Sequence, residues 1–272
     1  MSFSSTIRTQ LRHWTLSGLA MSDQVTGKFE SIKDQNHLQV ILLHDVFPHE
    51  EKNFKRLLDW LSERFTFVSY STAAQQVQQG NISEPTLTFS FDDGMENNKT
   101  AAKILSDRSI PACFFVCPDI VEETSETKIA EFCKQQLHRD PCNFLNWDDL
   151  GEMKSWGHEI GSHTLNHVML SSTSIQQAEV EINRSRELIE KNLGEAIHFA
   201  WPYGRFSHIT KQTIELILKA GYQSYASGER GSHGAHQESI TEPICIRRES
   251  LDLSWPLSHI QYFISKSARA QL

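Results

Sequence analysis

Along this chain short, continuous apolar runs alternate with stretches of helical spacing, the signature of strands and helices taking turns. Gln39 to Leu43 is a compact aliphatic run that reads as a buried strand ending at His44-Asp45. The period then changes, because Phe54, Leu57, Leu58 and Leu61 fall at i, i+3, i+4 and i+7 and predict a helix beginning near Glu51. Phe65 to Ser69 reads as a short strand, Thr72 to Gln79 as a helix and Thr86 to Phe91 as a strand. Asn98 to Arg108 is helical in pattern, and Ala112 to Cys117 is a strand bounded by Pro111 and Pro118. Residues 119–146 break the rhythm, with a helix expected only at Lys128 to Leu137, and read as an insertion at the mouth of a site. Trp147, Leu150, Met153 and Trp156 mark a short helix, with both tryptophans expected in the core, and Glu159 to Ser162 follows as a strand. Ser174 with Gln177 resembles a capping box that opens a long helix stopped by Gly194. His198 to Trp201, Gln223 to Ser227 and Ile244 to Leu251 read as strands, with a helix at Ile209 to Ala220 and a last one around Leu257 to Ser267. A Gly-, His- and Ser-rich loop is expected at 228–239.

About eight strands alternating with helices, and no linker between them, predict a parallel α/β fold, either a barrel or a doubly wound sheet. The polar residues choose between the two. His44, Asp92-Asp93, His163 and Tyr203-Gly204 all follow strand ends, and a barrel builds its site at that rim. The expectation is one distorted TIM-like (β/α) barrel of about seven or eight strands over residues 38–272. Residues 1–37 form an N-terminal arm, helical or partly disordered.

Composition narrows the partners. No apolar run is long enough to cross a bilayer, so no integral membrane span is expected. With 26 basic and 34 acidic residues the formal charge is −8, and no basic stripe offsets it, which argues against nucleic acid. The five cysteines are an odd number without a compact framework, and the N-terminal stretch lacks a secretory core, so reduced thiols and a cytoplasmic location are expected. Cys113 and Cys117 sit in an apolar strand as small hydrophobes, and Cys133, His138 and Cys142 match no zinc spacing. Nothing in the pattern selects an oligomeric state.

The chemistry concentrates in two clusters. Thr88-Phe89-Ser90-Phe91 stops on Asp92-Asp93-Gly94, and adjacent, partly buried carboxylates need a cation or a shared proton. Gly161-Ser162-His163-Thr164-Leu165-Asn166-His167 places two imidazoles at i and i+4, on one face if the segment is helical. Two histidines and one carboxylate make a plausible zinc triad with an open position.

Ser90-Phe91-Asp92-Asp93-Gly94, His163-Thr164-Leu165-Asn166-His167 and Pro202-Tyr203-Gly204 resemble, in order, three motifs of the polysaccharide deacetylase family (NodB homology, carbohydrate esterase family 4). The family's Leu-x-His motif usually comes last, whereas the similar Leu42-Leu43-His44 comes first here, as in a circularly permuted branch. The resemblance covers roughly residues 38–250 and implies a carbohydrate deacetylase acting on an acetylated sugar or glycan. It implies that Asp93, His163 and His167 hold zinc or another divalent transition metal, and that Asp92 is the general base for an activated water. The Tyr203 backbone N–H would help the metal stabilise the oxyanion, His44 would protonate the leaving group, and Trp201, Pro202 and Tyr203 would wall the substrate.

One departure stands out. Ala200 occupies the place of the motif arginine that orients the catalytic aspartate, and Arg247 or Arg248 could return a guanidinium from another strand. Alternation puts Arg248 on the face of Ile244 and Ile246, and Arg248 is the candidate. An O-acetyl sugar, a non-sugar amide or cyclic imide as substrate, and a catalytically dead carbohydrate-binding barrel are the other readings.

Overall fold

The computed structural model describes residues 3–235 and 243–270. Its strands, numbered in chain order, are β1 (His37–Leu43), β2 (Thr66–Phe67), β3 (Thr86–Phe91), β4 (Ala112–Val116), β5 (Glu159–Ser162), β6 (His198–Ala200), β7 (Ser224–Ala226), β8 (His233–Gly234), β9 (Cys245–Ile246) and β10 (Glu249–Ser250). Eight of them run in the order β10-β1-β3-β4-β5-β6-β7-β9, all neighbours parallel, which fits strands connected through helices. β2 adds beside β3, and β8 lies antiparallel to β1.

The two ends of this sheet are one piece of chain. Only Arg247 and Arg248 separate β9, which pairs with β7, from β10, which pairs with β1. The expected strand Ile244 to Leu251 is therefore split: it leaves one neighbour, passes a linkage in which Arg248 N donates to Glu229 O (3.1 Å), and joins the other. The sheet curls round on itself as the expected distorted barrel, and the first strand of the chain lies between β3 and β10.

Burial on both faces explains the continuous apolar runs, since parallel strands covered on two sides need no polar face. Ile41, Leu43, Phe89, Phe91, Phe114 and Val116 pack outward under the helices, while Leu38, Val40, Cys113, Phe115, Ala200, Ala226 and Ile246 fill the interior. The predicted helical face Phe54, Leu57, Leu58 and Leu61 is wholly buried on the helix Glu51–Ser62. Ser174 opens the helix Ile175–Leu193 by accepting from Gln177 N, and Gly194 closes it in the left-handed conformation. Trp147 and Trp156 are partly buried against the core. Within residues 1–37, Phe3–Val25 is a helix packed on the last helix, Leu257–Ala268, through Ser17 Oγ and His259 Nε2 (3.0 Å) and the ion pair of Asp23 with Arg269 (2.9 Å). Of the expected loop 228–239, residues 233–234 form β8 and residues 236–239 lie outside the described residues. Among the described residues no helix is long and apolar enough to cross a membrane.

β8 also carries a buried histidine that must stay neutral. His233 Nε2 accepts from Arg247 N (3.0 Å), and burial pushes the imidazole down to about 4. Below pH ~6.5 the unfolded chain takes up a proton that the folded chain refuses, so stability falls with pH until the folded group titrates. By pH ~5 this residue alone should cost about 2 kcal/mol. Urea midpoints at pH ~7.5 and ~5 should therefore drop less in His233→Asn than in the native protein, and an equal drop would remove His233 from the account.

Candidate active site

Alternation along β3 aims the site. Phe89 and Phe91 face the outer helices, so Thr88, Ser90 and Asp92 face the interior, and Asp92 follows the last residue of the strand. Asp93 (φ 75°) and Gly94 (φ 75°) then turn left-handed, which sends the second carboxylate along the rim rather than back outside. A side chain at Gly94 would also press on Val116 Cγ1, 3.0 Å from where its Cβ would sit. Thr164, His167 and Tyr203 share the positive φ, so backbone strain gathers around one rim.

The two histidines meet Asp93 there. His163 and His167 are not on a helix: the chain leaves β5 at Ser162 and turns through Thr164–Asn166, and the two left-handed residues bring the rings to 5.0 Å between centroids. Asp93 Oδ1 lies 3.3 Å from His167 Nε2 and 3.6 Å from His163 Nε2, with all three donor atoms within 4.8 Å of one another. Ligands about 2.0–2.1 Å from a tetrahedral ion stand about 3.3 Å apart, so the trio is spaced for a shared cation. Asp93 Oδ1 is buried with no hydrogen-bond donor in bonding geometry, an orphan that such an ion would satisfy. His163 Nδ1 donates to Ala200 O (2.7 Å), which leaves the Nε2 lone pair facing Asp93. Burial pushes His163 down to about 4, keeping it neutral; burial would raise Asp93, but His167 and the other imidazoles hold it well below the usual carboxylate range.

Asp92 is held from the other side. Arg248, completely buried, donates from both terminal nitrogens to the two carboxylate oxygens at 2.7 and 2.8 Å. Its Nε donates to Ser227 O (2.7 Å) and one terminal nitrogen also reaches Ser90 Oγ (3.3 Å), so the fork is fixed at both ends. Burial opposes ionisation of Asp92, yet the guanidinium, aided by His163, keeps the carboxyl below its ordinary value. Arg247 points elsewhere, stacking on Phe206 at 5.0 Å from the ring centroid. With Ala200 on β6, the guanidinium comes from the split strand, as expected of Arg248.

These groups line a cavity of about 250 Å³ with His44, Tyr203, Gly204 and Gly228. Gly204 (φ 67°) donates space as well as conformation, because a Cβ there would sit 2.6 Å from Gly228 N. Two of the expected wall residues are elsewhere. Trp201 is fully buried among core side chains, with Nε1 donating to Arg205 O (3.0 Å), and Pro202 is buried beside it; only Tyr203 of the three lines the cavity. The chain turns sharply after β6 and directs the indole outward under the helices, against Phe206 and Tyr225. The insertion expected at the mouth of the site supplies the opposite wall, through Gln136, Leu137 and His138. Tyr203 Oη donates to Gln136 O (3.1 Å), and Arg139 grips Asp45, next to His44, at 2.9 and 3.2 Å. The helix expected at Lys128–Leu137 is Glu126–Phe132 followed by a widened turn, Cys133–Leu137, which leaves His138 left-handed. Periodicity could not reveal this turn, because it serves contacts distant in sequence.

The sequence pattern described as polysaccharide deacetylase matches residues 79–225, a little over half of the chain. The chain belongs to the polysaccharide deacetylase family. The match begins after β1, so His44, which follows that strand, lies outside it. YxkH of Bacillus subtilis, named as a polysaccharide deacetylase, is 24% identical over 213 residues, 77% of this chain and 66% of its own length. The peptidoglycan-N-acetylmuramic acid deacetylase PdaA of the same species is 27% identical over 150 residues, 53% of this chain and 47% of its own. The chain thus spans less than two thirds of either relative. IcaB from Ammonifex degensii shares the fold, with a TM-score of 0.67 at 22% identity over 86% of this chain and 98% of that one. The two chains therefore share a fold, and in this one the N-terminal strand β1 lies between β10 and β3.

Proposed function

We propose that this protein is a metal-dependent deacetylase that hydrolyses the acetyl group of an N-acetylated sugar, free or within a glycan. The observation that carries the reading is the pairing of a convergent Asp93, His163 and His167 trio with an ionised Asp92 held by Arg248 on the adjacent side of one small cavity. Zinc fits the two imidazoles and one carboxylate, and when bound there it supplies Lewis acidity to the attacking water and the acetyl carbonyl.

The remaining work falls to the chain. Asp92, kept anionic by Arg248, takes the proton of the attacking water. The Tyr203 backbone N–H, on a left-handed residue at the rim, donates to the carbonyl oxygen as its charge grows. His44, on the same cavity, gives a proton to the departing nitrogen. The cavity suits one acetylated sugar ring, and an adjoining cleft of about 450 Å³ that shares His44 and Ser250 and includes Trp255 offers room for a neighbouring unit. Arg248 supplies Asp92 with the partner missing at Ala200, which favours catalysis over a barrel that only binds. Cytoplasmic residence belongs to the same reading, supported by five free cysteines.

The test is acetate release from a panel of N-acetyl and O-acetyl sugars, with metal content measured on the same samples. Native protein should bind about one zinc and release acetate from N-acetyl sugars, while His163→Ala should lose the metal and activity together. Acetate from O-acetyl sugars alone would transfer the reading to an esterase. Stoichiometric metal without acetate from any sugar would reject sugar deacetylation.

A further inference from the structure

Cys133 and Cys142 bracket a part of the molecule that the proposed chemistry leaves unexplained. Their Sγ atoms are 3.8 Å apart, Cys133 fully buried and Cys142 half-buried. Between them runs the stretch that supplies one wall of the catalytic cavity, with Gln136 O bonded to the Tyr203 phenol and Arg139 clamped on Asp45 beside His44. Arg139 N bonds back to Cys133 O (3.1 Å), so the backbone already folds the loop on itself and brings the thiols together.

Access is one-sided. Cys142 also lines an open cleft of about 800 Å³ against Ile129, Ala130 and Lys134, where a small reagent can reach it while Cys133 waits behind. The other thiols are differently placed: Cys113 and Cys117 are wholly buried, and Cys245 lies on the far strand β9. Nor is the pair half of a second metal site. Among the described residues the group of His, Cys, Asp or Glu able to converge on an ion is Asp93, His163 and His167.

We infer that Cys133 and Cys142 are a redox-modification site, whose reversible disulfide fastens the Gln136–Arg139 wall of the catalytic cavity. The oxidant is a low-molecular-weight disulfide such as oxidised glutathione. The Cys142 thiolate attacks one of its sulfurs and releases one glutathione thiolate; the Cys133 thiolate then attacks the Cys142 sulfur and releases the second. Two protein thiols are oxidised, one small disulfide is reduced to two thiols, and the two protons pass to the leaving thiolates. Burial pushes the Cys142 thiol up to about 12, so the exchange is slow at neutral pH.

The experiment incubates the full chain with oxidised glutathione, maps disulfides by peptide mass and follows amide exchange over 134–141. The expected result is loss of two thiols into a Cys133–Cys142 crosslink, with exchange in the stretch slowed about tenfold and restored by reductant. Cys142→Ser should abolish both effects, whereas Cys245→Ser should preserve them. A glutathione adduct that persists on Cys142 overturns the disulfide. A crosslink with unchanged amide exchange overturns its role in fastening the wall. These readouts need no substrate, so their failure is separate from failure of the deacetylase reading.

Discussion

Asp92→Asn should lower kcat for acetate release by about 10³-fold, within the range that a positioned general base supplies. The amide cannot take a proton from water, and its NH₂ faces the Arg248 donors that now meet carboxylate oxygens at 2.7 and 2.8 Å. Metal content should stay near that of the native protein, because the three convergent donor atoms belong to Asp93, His163 and His167. Steady-state acetate assays beside metal analysis check both statements. A variant that keeps more than about a tenth of the native rate would remove Asp92 from the role of base. Loss of metal along with rate would instead make Asp92 part of the ion site.

Arg248→Met should act on Asp92 without touching substrate. It leaves a buried carboxylate with no cation, and breaking one side of such a pair costs about 3–5 kcal/mol of stability. A structural loss alone would stop there. With the guanidinium gone, however, burial is opposed only by weaker partners, and the Asp92 carboxyl should rise. Because the base must be ionised, the acid limb of kcat/KM should move to higher pH by about one to three pH units. Arg248→Lys should recover part of the stability but not the native limb, since an ammonium lacks the planar fork that meets both oxygens. Folded Arg248→Met with an unmoved acid limb would reduce Arg248 to a structural residue.

Much of this arrangement was legible in the chain. The alternation of short apolar runs with 3.6-residue periods placed most strands and helices, since each run must hide its apolar face wherever it ends up. Parity along the strands gave more: Arg248 shares a face with Ile246, and the structure has both turned inward. The failures came where pairing or packing between distant segments decides. Trp201 reads equally as core or as substrate wall until the turn after β6 is known, and the His163–His167 spacing reads as a helix face although a tight turn brings the rings together. Nothing local marks Gln136–His138 as cavity wall, because their widened turn is held by Tyr203 and by the grip of Arg139 on Asp45.

The sequence by itself determined the parallel α/β barrel, the family and the carboxylate and imidazole clusters, because hydrophobic period and residue chemistry are local properties. Only the tertiary structure decided which groups share a cavity. It brought Arg248 from the linkage between β9 and β10 to Asp92, placed β1 and His44 beside β10, and set the insertion against Tyr203. The physical reason is that a charge buried inside a curled sheet must find its partner wherever the curl delivers one, at any separation along the chain.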